Sequence, residues 1–318
     1  MSEGGAQGTA RALAPIKQKD PQPPVESAGL LSPEDLPVRH HPIFQAIWYA
    51  SNALLILAIL LAVYAAIREY STRRYLKGFS DAVVPESSTP IEKVEAIVNW
   101  MANGPARQPG APDQSGNDRN PTDTLNYASL LQVCGSATNA FINLADSAGL
   151  TARRLLLLNS HDLTNHVVAE VLIDGRWIVV DPAYRTVFRG VNGQLLTREE
   201  LSDPSVWTAA TKGIRNYGRE NTFNNTAHVR LSRLPFIGRA LREALDRHFP
   251  GWDDSAALSL LLERESLALM VFAITLVSLL AVWRVGLRWY GETRLEYQTV
   301  RFRSRFRRAF HALADIDA

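Results

Sequence analysis

Two apolar runs bracket a polar middle, and they constrain the fold more than any other feature of the chain. From Pro42 to Ile67 the sequence "PIFQAIWYASNALLILAILLAVYAAI" holds 26 positions without a charge. As a helix rising about 1.5 Å per residue it outspans the ~30 Å hydrocarbon core of a bilayer, which needs about 20 residues. A second run, "SLALMVFAITLVSLLAVW", extends from Ser266 to Trp283 between Glu265 and Arg284. Trp48, Tyr49 and Tyr64, then Trp283, Trp289 and Tyr290, stand near the run ends, where amphipathic rings favour the membrane interface. Two core helices of a soluble fold are the other way to hide such runs, but core helices rarely go so long without charge. The sequence therefore reads as two transmembrane helices, 42–67 and 266–287, in a lipid bilayer. The first follows a polar tail, which suits an anchor rather than a cleaved signal peptide.

Two spans put both tails on one side and the middle on the other. The C-terminal tail carries Arg284, Arg288, Arg294, Arg301, Arg303, Arg305, Arg307 and Arg308, and Lys and Arg are retained on the cytoplasmic face. Arg68, Arg73, Arg74 and Lys77 after the first span pull the other way, with only Arg39 before it. Charges flanking a long translocated domain weigh less. The expected topology in the cytoplasmic membrane is therefore an extracytoplasmic middle with both tails cytoplasmic. A net charge of +2 over 318 residues gives no overall attraction to nucleic acid.

Residues 1–41, rich in Pro, Gly, Gln and charge, read as a disordered tail. Residues 68–77 read as a basic connector and 78–262 as one domain, an ordinary size for a single core. In the tail 288–318, Phe302, Phe306, Phe310 and Leu313 recur at helical spacing among arginines, which suits a helix on an anionic leaflet; a frayed charged tail is the alternative. Within the domain, "TPIEKVEAIVNWMANG" carries a capping box at Thr89 and Glu92, Pro90 in the first turn and an apolar face of Ile91, Val94, Ile97, Val98 and Met101. Residues 105–123 have no apolar period, as in a flap beside a site or an idle insertion. "GSATNAFINLADSAG" predicts a helix with Ala137, Phe141, Leu144 and Ala148 on one face and Gly149 at its end. "ARRLLLL" reads as a strand or buried run. "HVVAEVLIDGRWIVVDP" alternates around Asp174-Gly175, the signal of a two-residue hairpin.

Cys134 is the only cysteine of the chain and falls at the start of that second helix. Unpaired N–H groups and the helix dipole there favour the thiolate, the form that attacks. A thiol nucleophile also needs an imidazole, and the imidazole a partner to orient it. The hairpin supplies both. If Asp174 and Gly175 form the loop, Ile173 pairs with Arg176 and Val168 faces Asp181. His166, two positions from Val168, then projects from the same side of the sheet as Asp181. His161, among Asn159, Ser160, Asp162 and Asn165, is a weaker competitor because a loop is the better reading there.

"VCGSATNAFINLADSAGLTARRL" and "NHVVAEVLIDGRWIVVDPAY" resemble the core of the transglutaminase-like superfamily, in a membrane-anchored, bacterial-type member. The resemblance covers roughly residues 89–185. It implies an α+β, papain-like core, in which a helix bearing the cysteine packs on an antiparallel sheet, here flanked by the two transmembrane helices. It implies Cys134 as nucleophile, His166 as general base and then acid, and Asp181 as orienter of the imidazole. The reaction class is acyl transfer from an amide through a thioester, resolved by water in a peptidase or amidase, or by an amine in a crosslinking enzyme. The expected substrate is a peptide or protein amide, with envelope-assembly proteins as further partners. A catalytically silent binding module in envelope or surface-polymer assembly is the rival reading. The oxyanion needs donors: the Cys134 N–H is one, and Gln132 or Trp100 is a candidate second, although Trp100 also suits the core. No Cys/His spacing fits zinc, and no cofactor is expected.

Overall fold

The computed structural model describes residues 42–104, 120–229 and 238–295. The tail 1–41, most of the polar loop 105–123 and the amphipathic pattern at 302–313 lie outside the described residues. Among the described residues, those within 47–286 make one compact unit, and 42–46 with 287–295 the other.

Helix α1, Pro42–Val83, runs unbroken through 68–77, where the sequence suggested a connector. Nothing in "REYSTRRYLK" breaks a helix, and its Leu76 is fully buried in the main core. Helix α2, Pro90–Asn103, starts at the Thr89–Glu92 capping box and buries Val94, Ile97, Val98 and Met101. Asn120 caps a short α3, Pro121–Asn126, so the expected loop closes before residue 123. A 3-10 turn at Leu130–Gln132 leads into α4, Cys134–Ser147. Gly149, at φ 79°, then lets the chain leave in the left-handed conformation that favours glycine.

Strands β1 (Ala152–Leu158), β2 (Thr164–Ile173), β3 (Arg176–Asp181), β4 (Thr186–Val187) and β5 (Thr226–Ala227) form one antiparallel sheet in the order β4-β3-β2-β1-β5. The β2–β3 register runs from Ile173↔Arg176 to Ala169↔Val180. Asp174 and Gly175 both have positive φ, 50° and 79°, as a type I′ turn requires. The register of β1 with β2 shifts between Leu157 and Leu158, beside His166, which pairs with Leu157.

Burial departs from the sequence pattern in two places. Strand β2 is buried continuously from His166 to Val171 rather than on alternate residues. Its two sides both meet a core: Ala169 and Val171 join Phe141, Leu144 and Ile97, while Val168 joins Phe188, Leu196, Leu201 and Phe223. Leu201 belongs to α5, Arg198–Leu201, and α6 follows at Pro204–Thr211. A strand covered on both faces has no reason to alternate. Helix α4 is likewise buried all round from Ser136 to Ala145, not on one face alone.

The rest of the chain is α7 (Gly238–His248), a 3-10 turn at Trp252–Asp254, α8 (Ala256–Glu263) and α9 (Glu265–Arg294). The 3-10 turn is tied to the sheet by buried charge. Glu170 accepts from Arg153 Nε at 2.7 Å and meets His228 Nε2 at 2.8 Å, while His228 Nδ1 faces Asp254 at 2.9 Å. Arg153 also lies over the Trp177 ring, 3.9 Å from its centroid.

Helices α1 and α9, 42 and 30 residues, are both long and apolar enough to cross a membrane. Ser51, Ala58, Ala65 and Thr72, seven residues apart, are buried along α1, as is Ala273 on α9. Small side chains of this kind let helix backbones approach closely in a lipid environment. Arg284 lies over Trp48, 4.7 Å from the ring centroid. In the second unit, the Phe44 ring occupies the place that a Cβ at Gly291 would take.

Candidate active site

The hairpin carries His166 and Asp181 to one end of the sheet, and α4 brings Cys134 to meet them. His166 Nε2 lies 2.7 Å from Asp181 Oδ2. The other carboxylate oxygen accepts the N–H groups of Ala183 and Tyr184 at 3.1 Å each. Asp181 is thus fully buried with both oxygens engaged, a fixed acceptor for the imidazole. Because Nε2 faces the carboxylate, Nδ1 is the nitrogen left for Cys134, with which His166 shares a hydrogen bond.

Cys134 opens α4 behind Val133, whose side chain gives no cap. The first-turn N–H groups of a helix have no intrahelical acceptor, so an anion at this position is welcome. The hydrogen bond from His166 lowers the thiol pKa most; burial opposes it, and the His166 charge and the backbone N–H groups of Val167 and Gly135 lower it further. The net effect favours thiolate. Burial by itself would depress His166, but the hydrogen bonds and charges of Asp181 and Cys134 outweigh it and push the imidazole up to about 9. Both shifts run in the direction that favours a thiolate beside an imidazolium.

Aromatic side chains close around the pair. Tyr184 and Tyr217 stand edge-on to the His166 ring, at 5.6 Å and 6.1 Å between centroids, and 4.7 Å from each other. Burial and the neighbouring Asp181 charge hold both phenols above the ordinary value, so they remain protonated. Neither tyrosine was recognised in the sequence as a site residue. Tyr184 stands in the "DPAY" motif, three residues past Asp181, whereas Tyr217 arrives from a distant loop with no local pattern to mark it.

The other candidates occupy different settings. Trp100 packs edge-on to Phe79, 4.8 Å between centroids, against the main core. Gln132 is exposed in the 3-10 turn two residues before Cys134. His161 is exposed in the β1–β2 loop, its backbone N–H bonded to Asn159 Oδ1.

A helix whose N-terminus presents a thiol, packed on an antiparallel sheet that presents an imidazole and a carboxylate, defines a papain-like arrangement. Residues 77–182, a third of the chain, match the model of the transglutaminase-like superfamily, and the chain carries a transglutaminase-like domain there. The match takes in all three residues. Searches of curated proteins and of solved structures each found no match.

Proposed function

We propose that the protein is a membrane-anchored, cysteine-dependent acyl-transfer enzyme acting on peptide or protein amides. The observation that carries this reading is the hydrogen-bonded sequence from Cys134 through His166 to buried Asp181. In the resting site the thiol proton resides on His166. The thiolate attacks the amide carbonyl carbon, and the N–H of Cys134 at the helix start faces the developing oxyanion. The imidazolium then gives its proton to the leaving amine as the C–N bond breaks, leaving a thioester on Cys134. Neutral His166 next takes a proton from water, and hydroxide attack on the thioester breaks the C–S bond, releasing the acid and restoring the thiolate beside the protonated His166. An amine in place of water gives a crosslink by the same steps. Hydrolysis is the preferred outcome because, among the described residues, no side chain marks an amine site. The two apolar helices anchor the domain in a bilayer, with the domain on the extracytoplasmic side and envelope polymers or assembly proteins as its setting.

The test uses the full chain in detergent. Iodoacetamide should label Cys134 rapidly at about pH 6, and His166→Ala should slow labelling by about tenfold or more, the loss expected from restoring an ordinary thiol pKa. Slow labelling indifferent to His166 would leave only a binding module.

A further inference from the structure

Helix α4 has a second, polar stripe that catalysis does not use. Asn139, Asn143 and Asp146 follow Gly135 along one side of the helix, and both asparagines are fully buried. They meet the junction between α8 and α9. Asn139 Nδ2 donates to the Glu263 carbonyl and, at 3.1 Å, to its carboxylate. Asn143 Nδ2 donates to the same carbonyl at 3.2 Å. Arg264, 1% exposed, returns the contact: its Nε donates to Asn143 Oδ1 at 2.8 Å and its Nη2 to Asp146 at 2.7 Å. Glu263 also binds Arg154, whose Nη2 lies 3.4 Å from where a Cβ would stand on Gly135, next to Cys134.

The same knot reaches both apolar helices. Arg264 is followed directly by Glu265, the first residue of α9. Its Nη1 lies 3.5 Å from Glu69 of α1, and Ser266 Oγ donates to the other Glu69 oxygen at 2.7 Å. Glu69 is itself buried and held by Arg73 at 2.6 Å. On the other side, Asn139 Oδ1 accepts from Thr124 on α3, at 3.2 Å, the element that leads the chain to Cys134. Burying this much charge and amide is costly unless every group is matched. An apolar surface would hold α4 with less directional restraint, since hydrophobic contact is non-directional and hydrogen bonds are not.

We propose that Asn139 and Arg264 are positioning residues that hold α4, and with it Cys134, in register with His166 from the roots of the two apolar helices. This rests on the acyl-transfer reading and adds to it that the alignment of thiol and imidazole is set by where α1 and α9 meet the domain. Small displacements matter here, because misplacement of a reacting group by about 1 Å costs on the order of a hundredfold in rate.

The test again uses the full chain in detergent, with two variants that remove the grip without stranding a buried charge: Asn139→Leu, and Glu69→Gln combined with Arg264→Met. The readout is the ratio of Cys134 alkylation rates at about pH 6 and about pH 9.5, which tracks thiolate stabilisation, alongside thermal unfolding. Both variants should stay folded, since Phe141, Leu144 and Ala145 keep α4 in the core, while the ratio falls about tenfold, the equivalent of a rise of about one in thiol pKa. A folded variant with the wild-type ratio overturns the proposal. So does a variant that fails to fold, which would make the knot purely structural. If the wild-type ratio is indifferent to His166→Ala, the functional reading falls and takes this one with it.

Discussion

Asp181→Asn keeps the size and planarity of the side chain while removing its charge and turning one acceptor into a donor. In the protein, one Asp181 oxygen serves the N–H groups of Ala183 and Tyr184 and the other serves His166 Nε2. The single amide oxygen of the variant remains with the two backbone donors, so the amide nitrogen faces the imidazole. His166 Nε2 must then accept, and the ring proton moves to Nδ1, where it points at the sulfur instead of leaving a lone pair to receive its proton. The Asp181 hydrogen bond and charge no longer offset burial, and the imidazole pKa falls from about 9 toward its ordinary value. Each fall of one in that pKa is worth about tenfold in the ratio of imidazolium to imidazole, or about 1.4 kcal/mol. Alkylation of Cys134 at about pH 7 should slow at least about tenfold. Stability supplies a second readout. Because the folded pKa lies above the unfolded one, the stabilisation is complete below about 6.5 and is lost as pH rises through about 9. The melting temperature deficit of the variant should therefore be largest near pH 6 and shrink by about pH 9.5. Unchanged alkylation, or a deficit flat across that range, would refute the ion-pair account.

Two further substitutions test the packing around the site. Glu170→Gln removes a buried carboxylate that faces both Arg153 and His228, and it should cost about 3–5 kcal/mol in thermal or denaturant unfolding; an unaltered midpoint would show that the cluster is not closed to water. Gly291→Ile places a Cβ where the nearest Phe44 ring atom is only 2.6 Å away. It should lower the melting temperature in detergent, consistent with an overpacking cost of about 1–3 kcal/mol, and an unaffected melting temperature would contradict close packing there.

The hairpin was legible because Asp174-Gly175 is a local signal: two residues that tolerate positive φ fix the turn, the turn fixes the register, and the register places His166 and Asp181 on one side of the sheet. The capping box at Thr89 and Glu92 was legible for the same local reason. What the sequence obscured depends on contacts between distant segments. Asn139 and Asn143 look like solvent-facing residues of α4, and only the arrival of Glu263 and Arg264, about 120 residues later, makes them interior. Strand β2 looked alternating because the cover on its second side comes from residues 188–223. Tyr217 belongs to that cover, so no reading of the motif around His166 could have found it. The helical run through 68–77 is not marked by the apolar pattern, which stops at Ile67, although Arg and Lys are good helix formers.

Leu76 contributes to the interior of the globular part while belonging to the first apolar helix, and Arg264 does so one residue before the second begins. Membrane proteins with a disposable stem can be shaved from the surface and released intact. With the two apolar helices in a bilayer, as proposed, the domain has almost no stem to spare: Leu76 lies nine residues past Ile67 and Arg264 two before Ser266. A cut that passes either side chain removes part of what the freed piece encloses, and release arrives together with collapse of the shed fragment.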